Sequence, residues 1–295
     1  MDTEAIIIAG GECDTNLLRL IEHCSKQGVP VIPLLFGETK SPSFKWDIQE
    51  QTLELNGQTL RPYSIFTRFD IFNQMRDGRS ESNARATAWY SAIMGYCLAM
   101  PTVKCLNSKA SNLVGNKPAI LTLAKQHGLQ VPRTWVSNNS DFIGGLQPTG
   151  AYIAKPVEGG DYCRTLDSAI GETHSKKQTF AKPAIVQQVL IQPEVRIYRI
   201  GDQSMAFNMK SDSLDYRVAQ DAEVTVAHED FKEETQALFS LMDSLQMNFG
   251  AADFKTDQAT GKLSFLEVNS SPMFAHFDYV AGGQLSAMIL NFLKP

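Results

Sequence analysis

The stretch FLEVNSSPMF, residues 265–274, decides the reading of the chain. It follows a polar turn, TDQATG, and begins as an apolar strand. Side chains alternate between the two faces of a strand, so Glu267 and Asn269 share one face. The preceding segment AADFK, residues 251–255, is placed as the other arm of a hairpin and brings Asp253 opposite that end. Two carboxylates and an amide oxygen are hard ligands. They suit Mg2+, which takes few protein oxygens and completes its octahedron with water and phosphate. On its own the triad also reads as an ordinary polar strand end.

Upstream residues add to it. Lys117 precedes a helix, and Lys155 sits among apolar neighbours in the strand-like IAKPV. A lysine in such a strand needs an anionic partner, because burying an unpaired ammonium is costly. Four residues on, Gly159 and Gly160 form a hairpin tip whose backbone N–H groups can close over phosphates. Arg196 alternates with Glu194 and Tyr198 along a strand, and Arg217 follows Asp215-Tyr216. Guanidinium groups grip carboxylates and phosphoryl groups through paired donors. A salt bridge, a plain turn and surface arginines are the ordinary alternatives. Together the residues describe a site for a nucleoside triphosphate and an anionic acceptor.

The rest of the chain reads as mixed α and β. AIIIAGG is a short buried strand, residues 15–27 have helical spacing with Leu17, Leu18, Ile21 and Cys24 on one side, and VPVIPLLF is a second strand. This β-α-β start predicts a small parallel sheet. Gly10-Gly11 does not complete a dinucleotide fingerprint and reads as a strand-to-helix turn. Short strands with an Asn56-Gly57 turn follow, then a buried helix over 85–100, a helix over 118–127 and an extended VPRTW. Residues 167–183 are polar and read as a mobile loop around Lys176-Lys177. AIVQQVL is a compact strand, residues 194–210 a hairpin turning at Gly201-Asp202, and a last helix covers 279–293. In the amphipathic helix between them, Phe231, Leu238, Leu241, Met242 and Leu245 face one way.

Bulk composition narrows the classes. The 295 residues are 43% hydrophobic and 20% charged, with a net charge of −5, which is ordinary for a soluble globular chain and gives no global basic field for nucleic acid. The five cysteines are odd in number and contain no CxxC, which argues against a disulfide framework or zinc site and fits the cytoplasm. The acidic N-terminus before a short apolar run is unlike a signal peptide. The uncharged run from Ala86 to Val103 falls short of a membrane span.

In this order the motifs resemble the ATP-grasp superfamily, and within it the branch of ribosomal-protein glutamate ligases and of ligases that crosslink microviridin-type peptides. The resemblance runs from about Leu106 to the C-terminus. NKPAILTLAKQHGLQVPRT resembles the family's lysine-helix-VPxT segment, and YIAKPVEGG its second lysine strand and glycine-rich lid. IVQQVL stands at the adenine hinge, EVR and DYR at the arginine positions, and ADF with FLEVNSSP at the metal hairpin. The fold implied has a small N-terminal parallel α/β domain (1–105), a central lid domain (106–186) and a C-terminal antiparallel-sheet domain (187–295). The resemblance implies that Lys117 and Lys155 bind ATP phosphates, with Lys155 near the adenine. Gln187, Gln188, Val189 and Leu190 supply hinge contacts, largely through backbone. Asp253, Glu267 and Asn269 hold Mg2+, with Mn2+ as a substitute, and Arg196 and Arg217 steady the transferred phosphoryl group. The chain departs from the pattern in reading Gln187-Gln188 where Gln-Glu is common. It also lacks a clear ribose-binding acid, a place open to Glu194 or Gln192.

The activity implied is an ATP-dependent carboxylate–amine ligase working through an acyl phosphate on an amino acid or peptide. Two other classes compete: a kinase on the same nucleotide site acting on a small-molecule hydroxyl, and a non-catalytic ATP-binding module. A homo-oligomer is compatible with the family. The acceptor is expected between the N- and C-terminal domains. Arg68 is a candidate to grip a carboxylate there, against a structural ion pair with Asp70 or elsewhere. His276 is a candidate for the cleft, against an exposed loop.

Overall fold

The computed structural model describes residues 3–72, 75, 78–148, 150–157, 163–171, 179–211 and 223–295. Gly159, Gly160 and Arg217 lie outside the described residues, as do Lys176 and Lys177.

Three sheets follow one another along the chain. The first begins with β1 (Thr3–Gly11), helix α1 (Thr15–Lys26) and β2 (Val31–Phe36), a β-α-β unit with β1 and β2 parallel. β3 (Phe44–Asp47), β4 (Thr52–Leu55) and β5 (Gln58–Thr67) continue it in the order β2-β1-β5-β4-β3. The parallel core thus carries an antiparallel extension. Its cause is the two-residue turn at Asn56 (φ 50°) and Gly57 (φ 81°), both left-handed as that hairpin type requires. Helix α2 (Ser80–Ala99) starts earlier than its sequence pattern suggested. It is buried on one face only, through Ile93, Tyr96 and Cys97, while Leu98 is exposed. β6 (Lys104–Cys105) adds to β5.

Helix α3 (Lys117–Gln126) is capped by the Asn116 side chain, which accepts from the Ala119 N–H. The second sheet contains β7 (Thr134–Asn139), β8 (Tyr152–Pro156), β9 (Arg164–Thr165) and β10 (Thr179–Gln188), in the antiparallel order β7-β10-β8-β9. Helices α4 (Ser140–Gly144) and α5 (Leu166–Gly171) cover one face, packing Ile143 and Leu166 on Val186. The expectation of a loop over 167–183 is corrected at both ends by α5 and by β10. Ile170 and Phe180 are the apolar residues that anchor these ends to the Val186 cluster.

The third sheet is antiparallel, in the order β13-β12-β11-β14-β15. Its strands are β11 (Ile191–Ile200), β12 (Gln203–Lys210), β13 (Glu223–Val226), β14 (Phe249–Thr256) and β15 (Leu263–Asn269). Helix α6 (Lys232–Ser244) buries Leu238, Leu241 and Met242 against one face, together with Ile120 and Leu121 of α3. The expected last helix is two, α7 (Ala275–Val280) and α8 (Gln284–Leu293), separated at Gly282 (φ 62°) and Gly283 (φ 94°), which continue no helix. Leu285, Ile289 and Leu293 of α8 share one core with Ile6, Ile8, Leu17 and Leu20 of the first sheet and α1. In α1 it is Leu17, Leu20 and Cys24 that face inward. Leu18 is 44% exposed, against the sequence expectation, because the buried side also takes Asn16. No helix among the described residues is long and apolar enough to cross a membrane.

Candidate active site

The cleft face of the third sheet is built by register. Arg196 lies opposite Asp253 and Glu194 opposite Lys255 across β11 and β14. Asp253 in turn lies opposite Glu267 on β15. The odd-even partners Val195, Ile197, Ala252 and Phe254 fill the core behind. A simple strand would place Phe265 on the same side as Glu267. The register instead shifts by one between Asp253 and Phe254, so that Phe265 pairs with Phe254 in the core while Glu267 still faces Asp253. Leu266 is the extra residue of this bulge, a device that re-aims side chains beside functional sites.

Charges on this face are paired in a checkerboard. Arg196 grips Asp253 through two bonds, Nε–Oδ1 at 2.6 Å and Nη2–Oδ2 at 2.8 Å. Its guanidinium also lies 5.0 Å from the Phe277 ring centroid. Lys255 Nζ is 3.0 Å from Glu194. Lys117 Nζ reaches Glu267 Oε2 at a looser 3.6 Å, both side chains about a quarter exposed (26% and 29%).

The second sheet faces the same space. Ile153 and Gln187 are directly paired, as are Lys155 and Ile185, so these four side chains share one face. Ala154 and Val186 turn to the helix-covered side. Past β10 the hinge N–H groups of Gln188 and Val189 donate to Arg133 O and Ala151 O, each at 2.9 Å. Two of the backbone donors expected for a nucleobase are therefore engaged within the protein.

One cavity of about 840 Å³ gathers Lys117, Lys155, Gln187, Gln188, Val189, Leu190, Glu194, Arg196, Asp253, Glu267 and Asn269, but not Arg68 or Gln192. Gln192, the other residue weighed for the ribose, is engaged in holding the Glu194 N–H and Ser211 O. His276 also lines the cavity, from the first turn of α7 rather than from a loop. Sequence reasoning missed Lys255, Ile71, Cys163 and Met273. Lys255 carried a signal, since it stands two residues beyond Asp253 on one strand. The others join the wall only through tertiary contact.

The wall after β15 is strapped by side chains at five backbone groups. Asn107 Nδ2 donates to Ser270 O at 2.8 Å, Arg68 Nη1 to Pro272 O at 2.8 Å, and Tyr198 Oη to Met273 O at 2.6 Å. Asn16 Oδ1 accepts from the N–H groups of Phe274 (2.6 Å) and Ala275 (2.8 Å). Arg68 is 2% exposed, and its Nε pairs with Asp14 Oδ2 at 2.7 Å. Arg68 therefore makes the structural ion pair weighed for it, with Asp14 and not Asp70, and its charge is neutralised internally. Asp14 also caps α1 by accepting from the Asn16 N–H.

Burial pushes the Glu194 carboxyl above its ordinary pKa, with Lys255 opposing the rise. A raised acid stabilises the fold fully below its unfolded pKa, and that contribution is lost as pH rises through the folded value. Glu194→Gln is therefore expected to flatten the decline of stability as pH rises from the ordinary glutamate range toward neutral. Melting temperatures at the two ends check this, and an unchanged pH slope refutes it.

Asp253, Glu267 and Asn269 make a fitting oxygen set for a hard divalent cation. No group of three His, Cys, Asp or Glu side chains gathers among the described residues, and both Asp253 oxygens are held by Arg196.

No family model matches the chain, and no curated protein matches it by sequence. Solved structures do match over nearly its whole length. The ATP-grasp ligase PsnB, complexed with a phosphomimetic variant of its minimal precursor, Mg and ADP, is 22% identical with a TM-score of 0.76, covering 98% of each chain. The macrocyclase MdnC from Microcystis aeruginosa MRC, bound with precursor peptide MdnA, is 19% identical with a TM-score of 0.72, covering 99% of each chain. A RiPP-associated ATP-grasp ligase from Chryseobacterium gregarium, in complex with ADP and a leader and core peptide, is 17% identical with a TM-score of 0.71. That match covers 99% of this chain and 96% of the other.

Proposed function

We propose that this chain, which has the ATP-grasp fold, is an ADP-forming carboxylate–amine ligase acting on a peptide or amino-acid carboxylate. The observation that carries the reading is the single cavity that joins the two lysines, the hinge, Arg196 and the paired carboxylates. The ligases of like fold that are solved with precursor peptides favour a peptide acceptor. Segments 1–105, 106–186 and 187–295 act as three domains, with the nucleotide between the second and third. The free cysteines fit a reducing compartment such as the cytoplasm.

Lys117 and Lys155 bind and orient the phosphates, and Arg196 sets positive charge beside the transferring group. Arg217, Gly159 and Gly160 are proposed to join them. Asp253, Glu267 and Asn269 would hold Mg2+, which neutralises charge on the phosphate oxygens. A carboxylate oxygen of the acceptor attacks the γ-phosphorus, the bond to ADP breaks, and an acyl phosphate forms. An amine then attacks the acyl carbon, the C–N bond forms, and phosphate leaves with the carboxylate oxygen. Glu194, at the hinge end of β11, stands where a ribose hydroxyl can be held.

The test incubates the chain with Mg-ATP, acidic peptides and amino acids, some carboxylates labelled with 18O. The expected result is ADP, a product lighter than its parts by one water, and label in the phosphate. A stable phosphorylated product with no joining points to the kinase, and no ADP with any pool refutes the reading.

A further inference from the structure

The ligase reading leaves one step of the reaction without a residue. An alkyl amine is an ammonium at neutral pH, with no lone pair to attack an acyl carbon until it loses a proton. Few groups of the cavity can take that proton. Both oxygens of Asp253 are held by Arg196. Glu194 is buried and paired with Lys255, and Glu267 lies 3.6 Å from Lys117. The remaining base among the described lining residues is His276. It is exposed, its ring meets Phe277 edge-on with centroids 6.0 Å apart, and it takes no hydrogen bond or ion pair among the described residues. Its place is fixed from behind. The five strapped backbone groups run from Ser270 to Ala275, the residue before it. Phe277, the residue after it, is buried with its ring centroid 5.0 Å from the Arg196 guanidinium. His276 thus enters the cavity one residue from the ring that packs on the arginine assigned to the transferring group.

We propose that His276 is the general base of the amine step, a role that rests on the ligase reading and deepens it. The nucleophile that needs it is an alkyl amine such as a lysine side chain, which is charged at neutral pH. The amine nitrogen bonds to the acyl carbon, and the C–O bond to phosphate breaks with its electron pair on the leaving phosphate. Of the two protons the nitrogen loses, one passes to the imidazole and on to solvent, and the other to the phosphate. An imidazole can take up and release a proton near neutrality, which the exchange requires. Formation of the acyl phosphate needs no base, because the attacking carboxylate is already an anion.

Two nucleophiles compared at one neutral pH separate the base from the rest of the site. The wild-type chain, His276→Gln and His276→Ala are incubated with Mg-ATP and acidic peptides that also carry lysine, with and without hydroxylamine. Hydroxylamine is uncharged at neutral pH and attacks an acyl phosphate with no base. In both variants the lysine amide is expected to form at least about 10²-fold more slowly, the scale of general-base catalysis, while hydroxamate forms at close to the wild-type rate. Melting curves on the same samples show that the variants are folded. An amide rate near the wild-type one in both variants overturns the inference while the ligase reading stands. So do amide and hydroxamate falling together in a folded variant, and a wild-type chain that makes hydroxamate but no lysine amide. Neither product from the wild-type chain overturns the ligase reading itself and this inference with it.

Discussion

Glu267→Gln is expected to lower the rate of ADP formation on the order of 10²–10³-fold while the fold persists, the scale on which preorganised electrostatic groups act. Glu267 stands where three functions meet. It faces Asp253 across the hairpin, it lies 3.6 Å from Lys117, and it lines the cavity. The amide keeps the shape and removes the charge, so the change tests electrostatics and not packing. Lys155→Ala is the companion from the other wall, and the two should resemble each other in activity while melting close to the wild-type temperature. Steady-state ADP release and a melting curve on the same samples check it. Full activity in either variant would refute the site assignment.

Asp14→Ala should act in the opposite way, on the fold first. Asp14 is 0% exposed and Arg68 2%, and removing one partner of such a pair leaves a buried, uncompensated charge. The expected cost is about 3–5 kcal/mol. The same carboxylate orients Asn16, whose Oδ1 holds the N–H groups of Phe274 and Ala275, so the loss extends to the strap behind the cavity. Chemical denaturation with the midpoint followed by circular dichroism measures it. A loss under about 1 kcal/mol, the range of exposed pairs, would show that the pair is not buried as described.

The contrast between these two residues shows where the sequence was legible. Glu267, Asn269 and Asp253 were readable because hairpin periodicity is local: a turn, two strands and a count of two place them. The bulge at Leu266 was not, since a register shift depends on which side chains the core accepts, here Phe254 against Phe265. The partner of Arg68 was hidden for a related reason. An arginine in an apolar strand signals a need for an anion, but its partner Asp14 is 54 residues away in sequence, and only the fold selects it over the nearby Asp70. The helix α5 and the start of β10 were hidden because Leu166 and Ile170 make only one i, i+4 pair and Phe180 stands alone, too little period to stand out from a polar stretch. The hinge was legible as a strand, yet the engagement of its N–H groups by Arg133 and Ala151 comes from segments distant in sequence.

The core shared by β1, α1 and α8 bears on how the molecule comes into being. The apolar underside of β1 is covered by Leu285, Ile289 and Leu293, which are made far later than the strand they cover. During translation that surface therefore waits, without this cover, until α8 has emerged. Deleting Gln284–Leu293 would strip that cover from Ile6, Ile8, Leu17 and Leu20.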